Sequence, residues 1–135
     1  MPYAIADLHS LDESAVAKLK SIGIRTSDKF LECARTPRGR RALAEQIGYD
    51  ERSILRWANL VDRMRIKGIG EDYAGLLEAA GVDTVRELKY RNPQRLAQAM
   101  ADVNKNRKLV RLLPSEKLVE RWVASARTLP LKISY

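Results

Sequence analysis

The chain has 135 residues and a mass of 15.3 kDa, enough for one ordinary domain or for two small halves that share a core. It contains no apolar run near the ~18 residues that span a bilayer, and no charged-then-apolar leader at its start, so we expect neither membrane insertion nor secretion. With a single cysteine, Cys33, and a single histidine, His9, an intramolecular disulfide framework and a thiolate or imidazole zinc site are excluded. We therefore expect no metal, no other cofactor and a reduced, cytoplasmic setting.

The charge balance favours an anionic partner such as nucleic acid. Lysine and arginine number 25 against 17 aspartates and glutamates, which gives a formal net charge of +8 and a pI near 9.9. Residues 1–64 hold 11 basic and 9 acidic side chains, whereas residues 65–135 hold 14 and 8. A face that binds anions is accordingly predicted in the second half.

The first feature in chain order is a repeat with a spacing of 58 residues. The first copy consists of Leu8, Leu11, Leu19, Gly23, Ile24, Thr26 and Phe30, and the second of Ile66, Ile69, Leu77, Gly81, Val82, Thr84 and Leu88. The pattern predicts an internal duplication with a boundary near Arg65, which divides the chain into halves 1–64 and 65–135.

Nearly every segment is typical of an α-helix that begins at a capping residue, with about four helices in each half. The predicted caps are Ser27, Thr36, Asp50, Thr84, Asn92 and Ser115, and Pro37 and Pro93 stand at first helical positions. Gly23 and Gly81 are placed to end helices in a left-handed conformation. Apolar stripes at helical spacing include Trp57 and Trp122, so we expect both indoles in the core.

Two segments are less regular. Residues 102–114 are polar and basic in their middle, and we expect an exposed insertion with a short helix around residues 108–112. Residues 130–135 alternate apolar and polar side chains, a pattern compatible with an extended strand or with a frayed end.

The most informative stretch is residues 66–77, Ile-Lys-Gly-Ile-Gly-Glu-Asp-Tyr-Ala-Gly-Leu-Leu. Gly68 permits the backbone to reverse direction, Ile69 anchors the turn in the core, and Gly70 lets another backbone come close. The N–H groups of the two glycines lie at the positive end of the helix that follows, which suits an anion. The stretch resembles the helix-hairpin-helix motif, whose pattern apolar-x-Gly-apolar-Gly-x-x-x-Ala-x-x-Leu it matches at every specified position.

The resemblance implies that the hairpin holds the phosphates of double-stranded DNA through main-chain N–H groups, without base recognition. The candidate residues in the hairpin are Arg65, Lys67, Gly68, Ile69 and Gly70, and those beyond it are Lys89, Arg91, Lys105, Arg107 and Lys108. Glu71 and Asp72 would compete with a phosphate for the same helix end. A hairpin that serves only to turn the chain is therefore the alternative.

In the first half Ser10 and Asp12 replace the two hairpin glycines, and a carboxylate at this position repels phosphate. We expect the first half to be a degenerate copy that supports the fold, or a protein-binding surface. A smaller basic cluster comprises Arg35, Arg38, Arg40 and Arg41.

Over most of its length the chain resembles a bacterial family of duplicated helix-hairpin-helix proteins, the DUF4332 family. The resemblance rests on residues 65–70, 73–74, 76–77, 80–82 and 114–115. It implies an all-α fold of two tandem halves of the SAM-like, helix-hairpin-helix kind, related by internal duplication.

Catalysis is not expected, because the sequence has no Gly-rich nucleotide loop, no cluster of metal ligands and no histidine other than His9 for proton transfer at neutral pH. The leading hypothesis is a monomeric, non-enzymatic module that binds double-stranded DNA regardless of sequence. The alternative is a protein–protein interaction adaptor of the same fold, and RNA binding is a minor third hypothesis.

Overall fold

The computed structural model describes residues 2–135, and this part of the chain is all-α, as predicted. A 3-10 turn at Ile5–Asp7 precedes eight α-helices. These are α1 (Glu13–Ser21), α2 (Ser27–Cys33), α3 (Pro37–Ile47), α4 (Glu51–Arg63), α5 (Glu71–Ala79), α6 (Val85–Leu88), α7 (Pro93–Arg107) and α8 (Glu116–Thr128). No helix among residues 2–135 is both long and apolar enough to cross a bilayer.

The helices group into two compact units. The first comprises the chain up to Asp62 together with Lys132–Tyr135, and the second is Arg63–Leu131. The first two helices after each turn, α1 with α2 and α5 with α6, begin at positions that are 58 residues apart. The common ancestry of the halves 1–64 and 65–135 stays a prediction.

Local capping chemistry explains where the helices begin. Thr36, Asp50, Thr84, Asn92 and Ser115 each accept a hydrogen bond from a backbone N–H in the first turn, as predicted. The prediction of Ser27 is wrong by one residue: Thr26 caps α2, and Ser27 is buried, where its hydroxyl accepts from the Tyr3 N–H at 2.8 Å. Gly23 and Gly81 have φ of +87° and +95°, which confirms the left-handed helix ends.

Each unit contains one of the two tryptophans, and both are buried. Trp57 is buried in the first unit, with its ring centroid 5.3 Å from that of Tyr49 and 6.4 Å from that of Phe30. Trp122 is fully buried in the second unit, with its ring centroid 5.4 Å from that of Tyr73. The prediction that both indoles lie in the core is confirmed.

The tail is part of the first unit. Ile133 is buried, the Ser134 N–H donates to the Arg35 carbonyl at 2.8 Å, and the Tyr135 hydroxyl donates to Asn59 Oδ1 at 2.7 Å. The buried Arg40 guanidinium donates to the Ala34 and Ser134 carbonyls, and burial lowers the pKa of this group. The tail is therefore fixed to the first unit by Ile133 and by these hydrogen bonds, while Leu131 and Tyr135 remain exposed.

The four arginines of the basic cluster predicted in the first half differ in their surroundings, and Arg38 is exposed. Arg40 is buried, and Arg35 donates to the Lys132 carbonyl at 3.1 Å. Arg41 pairs with Glu51 at 3.2 Å on the surface.

The segment 102–114 differs from its prediction. Helix α7 continues to Arg107 and ends at Lys108, which has a left-handed φ of 49°. Asn104 to Arg107 are therefore the last helical turn and not part of an insertion, because cations at a helix C-terminus interact favourably with the helix dipole. The helix expected around residues 108–112 is absent: residues 108–115 form an irregular loop, which we call the α7–α8 loop.

Candidate functional site

The hairpin of residues 66–70 is shaped by two tight turns in the second unit. The Ile66 N–H donates to the Arg63 carbonyl at 3.2 Å, and the Ile69 N–H donates to the Ile66 carbonyl at 3.0 Å. Gly68 has φ of +93°, a conformation that strongly favours glycine. Ile66 and Ile69 are buried, whereas Lys67 and Gly68 are exposed. The predicted roles of Gly68 and Ile69 in the turn are confirmed.

Helix α8 lies directly behind the hairpin. A Cβ atom built on Gly68 would come within 3.1 Å of Trp122 Nε1 and 3.6 Å of Leu118 Cδ1, so a side chain here would press on the indole in addition to straining the backbone. The Trp122 indole N–H is buried and has no hydrogen-bond partner within residues 2–135. An unsatisfied donor at this point adds positive partial charge behind Gly68.

Gly70 is the N-cap of α5 and leaves the helix end open. Its backbone is extended, with φ of −87° and ψ of −174°, and it offers no side-chain hydrogen bond to the first turn. A Cβ atom built there would have no described neighbour within 4 Å. The first helical hydrogen bond runs from the Ala74 N–H to the Gly70 carbonyl at 2.9 Å, so the N–H groups of the first turn have no acceptor within the helix. The helix dipole is positive here.

Every other α-helix among residues 2–135 begins at a side chain that caps it: Asp12, Thr26, Thr36, Asp50, Thr84, Asn92 and Ser115. Asp12 stands 58 residues before Gly70 and caps α1, accepting from the Ala15 N–H at 2.7 Å and from the Tyr49 hydroxyl at 2.6 Å. These two bonds, that from Tyr49 foremost, lower the pKa of the Asp12 carboxyl. In the first unit, the Asp12 carboxylate therefore occupies the position that is open at Gly70 in the second unit.

The structure does not bring all of the predicted basic residues to the hairpin. Arg65 is half-buried, and its guanidinium donates to the Pro130 carbonyl at 3.1 Å. Arg91 approaches Gly81, past the C-terminal end of α5, while the Lys89 carbonyl accepts from Arg127 near the end of α8. Since nine helical residues span about 13 Å, Lys89 and Arg91 lie well away from the open end of α5.

The α7–α8 loop, in contrast, reaches the hairpin end of α5. The hydroxyl of Tyr73, in the first turn of α5, donates to the Leu112 carbonyl at 2.8 Å. The loop begins at Lys108, and Arg111 directly precedes Leu112. Lys105 and Arg107 are exposed on the last turn of α7. Of the predicted basic residues beyond the hairpin, Lys108 thus belongs to the loop that contacts α5, whereas Lys89 and Arg91 lie toward the other end of that helix.

Two cations that the sequence did not single out, Lys117 and Arg121, lie on α8, the helix that contacts Gly68. Both are exposed, and α8 faces Gly68 through Leu118 and Trp122. At 100° per residue, Arg121 lies about 60° and 100° around the helix from these two contacts, and Lys117 about 100° and 140°, so Arg121 is the nearer of the two cations to this face. Neither cation makes a hydrogen bond or ion pair with any residue of the described chain. Their spacing of four residues was visible in the sequence, but the contact that brings α8 to Gly68 was not.

These features define a small all-α protein in which a glycine hairpin with an exposed lysine, Lys67, leads into a helix whose N-terminus has no side-chain cap. The family model described as Domain of unknown function (DUF4332) matches residues 9–129, and the chain belongs to this family. No solved structure matches the chain.

Proposed function

We propose that the protein is a non-enzymatic module that binds the phosphate backbone of double-stranded DNA, independently of sequence, through the hairpin 66–70. The observation that carries the proposal is the open N-terminus of α5, whose seven counterparts in the described chain are closed by side chains. Backbone N–H groups at such an end are suited to a phosphate oxygen. They contact no base edge, so the binding carries no sequence information.

The surrounding charges support the same conclusion. Five exposed cations without a partner in residues 2–135 lie in the hairpin, in the α7–α8 loop and on α8: Lys67, Lys108, Arg111, Lys117 and Arg121. Glu71 and Asp72 in the first turn of α5 oppose a phosphate. We therefore expect weak binding in the range of ordinary non-specific complexes, roughly 10⁻⁴ to 10⁻⁶ M at physiological salt.

The test is a series of substitutions at Gly70, where added atoms meet open space. Gly70→Asp places a carboxylate where Asp12 lies in the first unit, and it caps α5 while repelling phosphate. Gly70→Asn caps the same N–H groups without the charge, and Gly70→Ala leaves them open. Binding of a labelled duplex is measured by fluorescence anisotropy, with circular dichroism to confirm folding.

We expect the wild type and Gly70→Ala to bind, Gly70→Asn to bind more weakly and Gly70→Asp not to bind measurably. The wild-type affinity should fall with salt, by about 0.9 in log affinity per log salt for each phosphate neutralised. Equal binding by the wild type and a folded Gly70→Asp variant would show that the hairpin only turns the chain.

The adaptor hypothesis rests on a different surface. The first unit has an open groove of about 400 Å³ lined mainly by apolar atoms, including those of Ile22, Ile24 and Leu43. A protein that uses this groove would show no affinity for DNA and no salt-dependent signal in the anisotropy assay. Absence of binding by the wild type would therefore direct attention to this surface.

A further inference from the structure

The α7–α8 loop exposes three large apolar side chains. Leu112 is 76% exposed, Leu113 is 41% exposed and Leu109 is 37% exposed. Single apolar side chains are common on protein surfaces, whereas apolar side chains grouped together are characteristic of surfaces that contact a partner.

The loop is held in place by polar contacts on both sides of these leucines. The Asn104 side chain donates to the Val110 carbonyl at 3.1 Å and accepts from the Val110 N–H at 3.0 Å. The Tyr73 hydroxyl holds the Leu112 carbonyl, and Pro114 is buried. The leucines are thus presented by a fixed backbone, which reduces the entropy lost when a partner binds.

The charged side chains of the loop itself are both positive, and the nearby acidic pair Glu71 and Asp72 belongs to α5. Lys108 and Arg111 flank Leu109 and Leu112, and residues 103–115 contain no aspartate or glutamate. Such a loop fits a partner that is anionic outside and apolar within. A nucleic acid has this character, with phosphates outside and stacked bases inside.

We infer that Leu112 is an apolar wedge that enters the base stack of a distorted DNA duplex while the hairpin holds the neighbouring backbone. The inference rests on the proposed function, because Tyr73 joins this loop to the first turn of α5 and so to the open helix end. Apolar side chains that enter a stack from the minor groove must separate two bases. This separation is least costly at an unpaired or mismatched base, so the protein should prefer distorted duplexes over intact ones.

The test compares a fully paired duplex with the same duplex carrying one unpaired 2-aminopurine, whose fluorescence rises when its neighbours unstack. We expect the wild type to bind the bulged duplex about ten-fold more tightly and to raise its fluorescence. Leu112→Ala should lose about ten-fold on the bulged duplex, the effect of one buried leucine side chain, and cause no fluorescence rise. Its affinity for the paired duplex should not change.

The matched control is Leu131→Ala, which shortens another exposed leucine, 57% accessible, outside the loop. It should behave as the wild type on both duplexes. Because both leucines are exposed, neither variant is expected to lose its fold, which circular dichroism checks.

The outcomes separate this inference from the proposed function. Equal wild-type affinity for the two duplexes, with no effect of Leu112→Ala, overturns the wedge and leaves phosphate binding intact. No binding of either duplex, or full binding by Gly70→Asp, overturns both. Leu112-dependent sedimentation with phosphatidylglycerol vesicles, without a preference for the bulge, overturns the wedge in favour of a lipid surface.

Discussion

At the residue scale, the two hairpin glycines are needed for different reasons. Gly68 combines a positive φ with close packing against the Trp122 indole, whereas Gly70 has an ordinary extended backbone and open space before it. The fold therefore favours glycine at position 68, whereas neither the backbone nor the packing restricts position 70. A substitution that reports on binding alone belongs at Gly70.

Gly68→Ala should destabilise the protein by about 3 kcal/mol, since a left-handed alanine and an overpacked Cβ each contribute on the order of 1–2 kcal/mol. Gly70→Ala should change the free energy of unfolding by less than about 0.5 kcal/mol, because the poorer cap is offset by a less flexible unfolded chain. Urea unfolding of both variants measures the difference. Equal stabilities would mean that Trp122 moves away at little cost.

Asp12 makes the first unit sensitive to acid. Its carboxyl has a lowered pKa because the Tyr49 hydroxyl and the Ala15 N–H donate to it, so the ionised form stabilises the folded state. This stabilisation is present above the unfolded pKa and is lost as the pH falls below about 4, through the folded pKa.

We therefore expect Asp12→Asn to lower the melting temperature at neutral pH and to have a diminishing effect as the solution is acidified. Tyr49→Phe, the matched control, should bring the pKa of Asp12 closer to its ordinary value in an NMR titration of the carboxyl. A stability difference that stays constant with pH would contradict this assignment.

At the element scale, the sequence predicted what local chemistry determines. The caps at Thr36, Thr84 and Asn92 follow from single side chains, and they were correct. The error at Ser27 arose because Thr26 is an equally good cap one residue earlier, and only the contact with Tyr3 separates the two. Helix α7 was predicted too short because its last turn is polar.

The sequence predicted the part of the candidate site that neighbouring residues form, but not the part that comes from residues distant in the chain. The conformation of the hairpin follows from two neighbouring residues, because Gly68 adopts the positive φ and Ile69 is buried. The position of Arg121 beside the hairpin depends on the packing of Trp122 against Gly68, across more than 50 residues of chain. No pattern along the sequence encodes such a contact.

The contact between α5 and the α7–α8 loop gives a prediction for this element. Tyr73→Phe removes the hydrogen bond to Leu112 but keeps the ring on Trp122, so unfolding should become easier by about 1 kcal/mol. Amide exchange should accelerate in residues 108–113 and remain unchanged in α8. Unchanged exchange in the loop would mean that Asn104 holds it without Tyr73.

At the scale of the whole molecule, the chain enters the second unit after Asp62 and returns to the first at Lys132. The first unit therefore depends on a tail that is distant in sequence. Arg40 shows this dependence, because one of its two described hydrogen bonds goes to Ser134 and it is buried. Loss of a hydrogen-bond acceptor from a buried guanidinium strongly destabilises the folded state.

Removal of Lys132–Tyr135 should destabilise the first unit by about 3 kcal/mol. The deletion removes the buried Ile133 side chain and exposes the apolar surface that it covers, and it also removes the Ser134 carbonyl that accepts a hydrogen bond from Arg40. Since each unit holds one tryptophan, Trp122→Phe and Trp57→Phe backgrounds let fluorescence report the unfolding of the first and second unit separately. The transition reported by Trp57 should shift to lower urea concentration, while that reported by Trp122 should not move. Leu131→Ala, just before the deleted residues, is the control and should leave both transitions in place. If the truncation shifts neither transition, the tail adds nothing to the stability of the first unit.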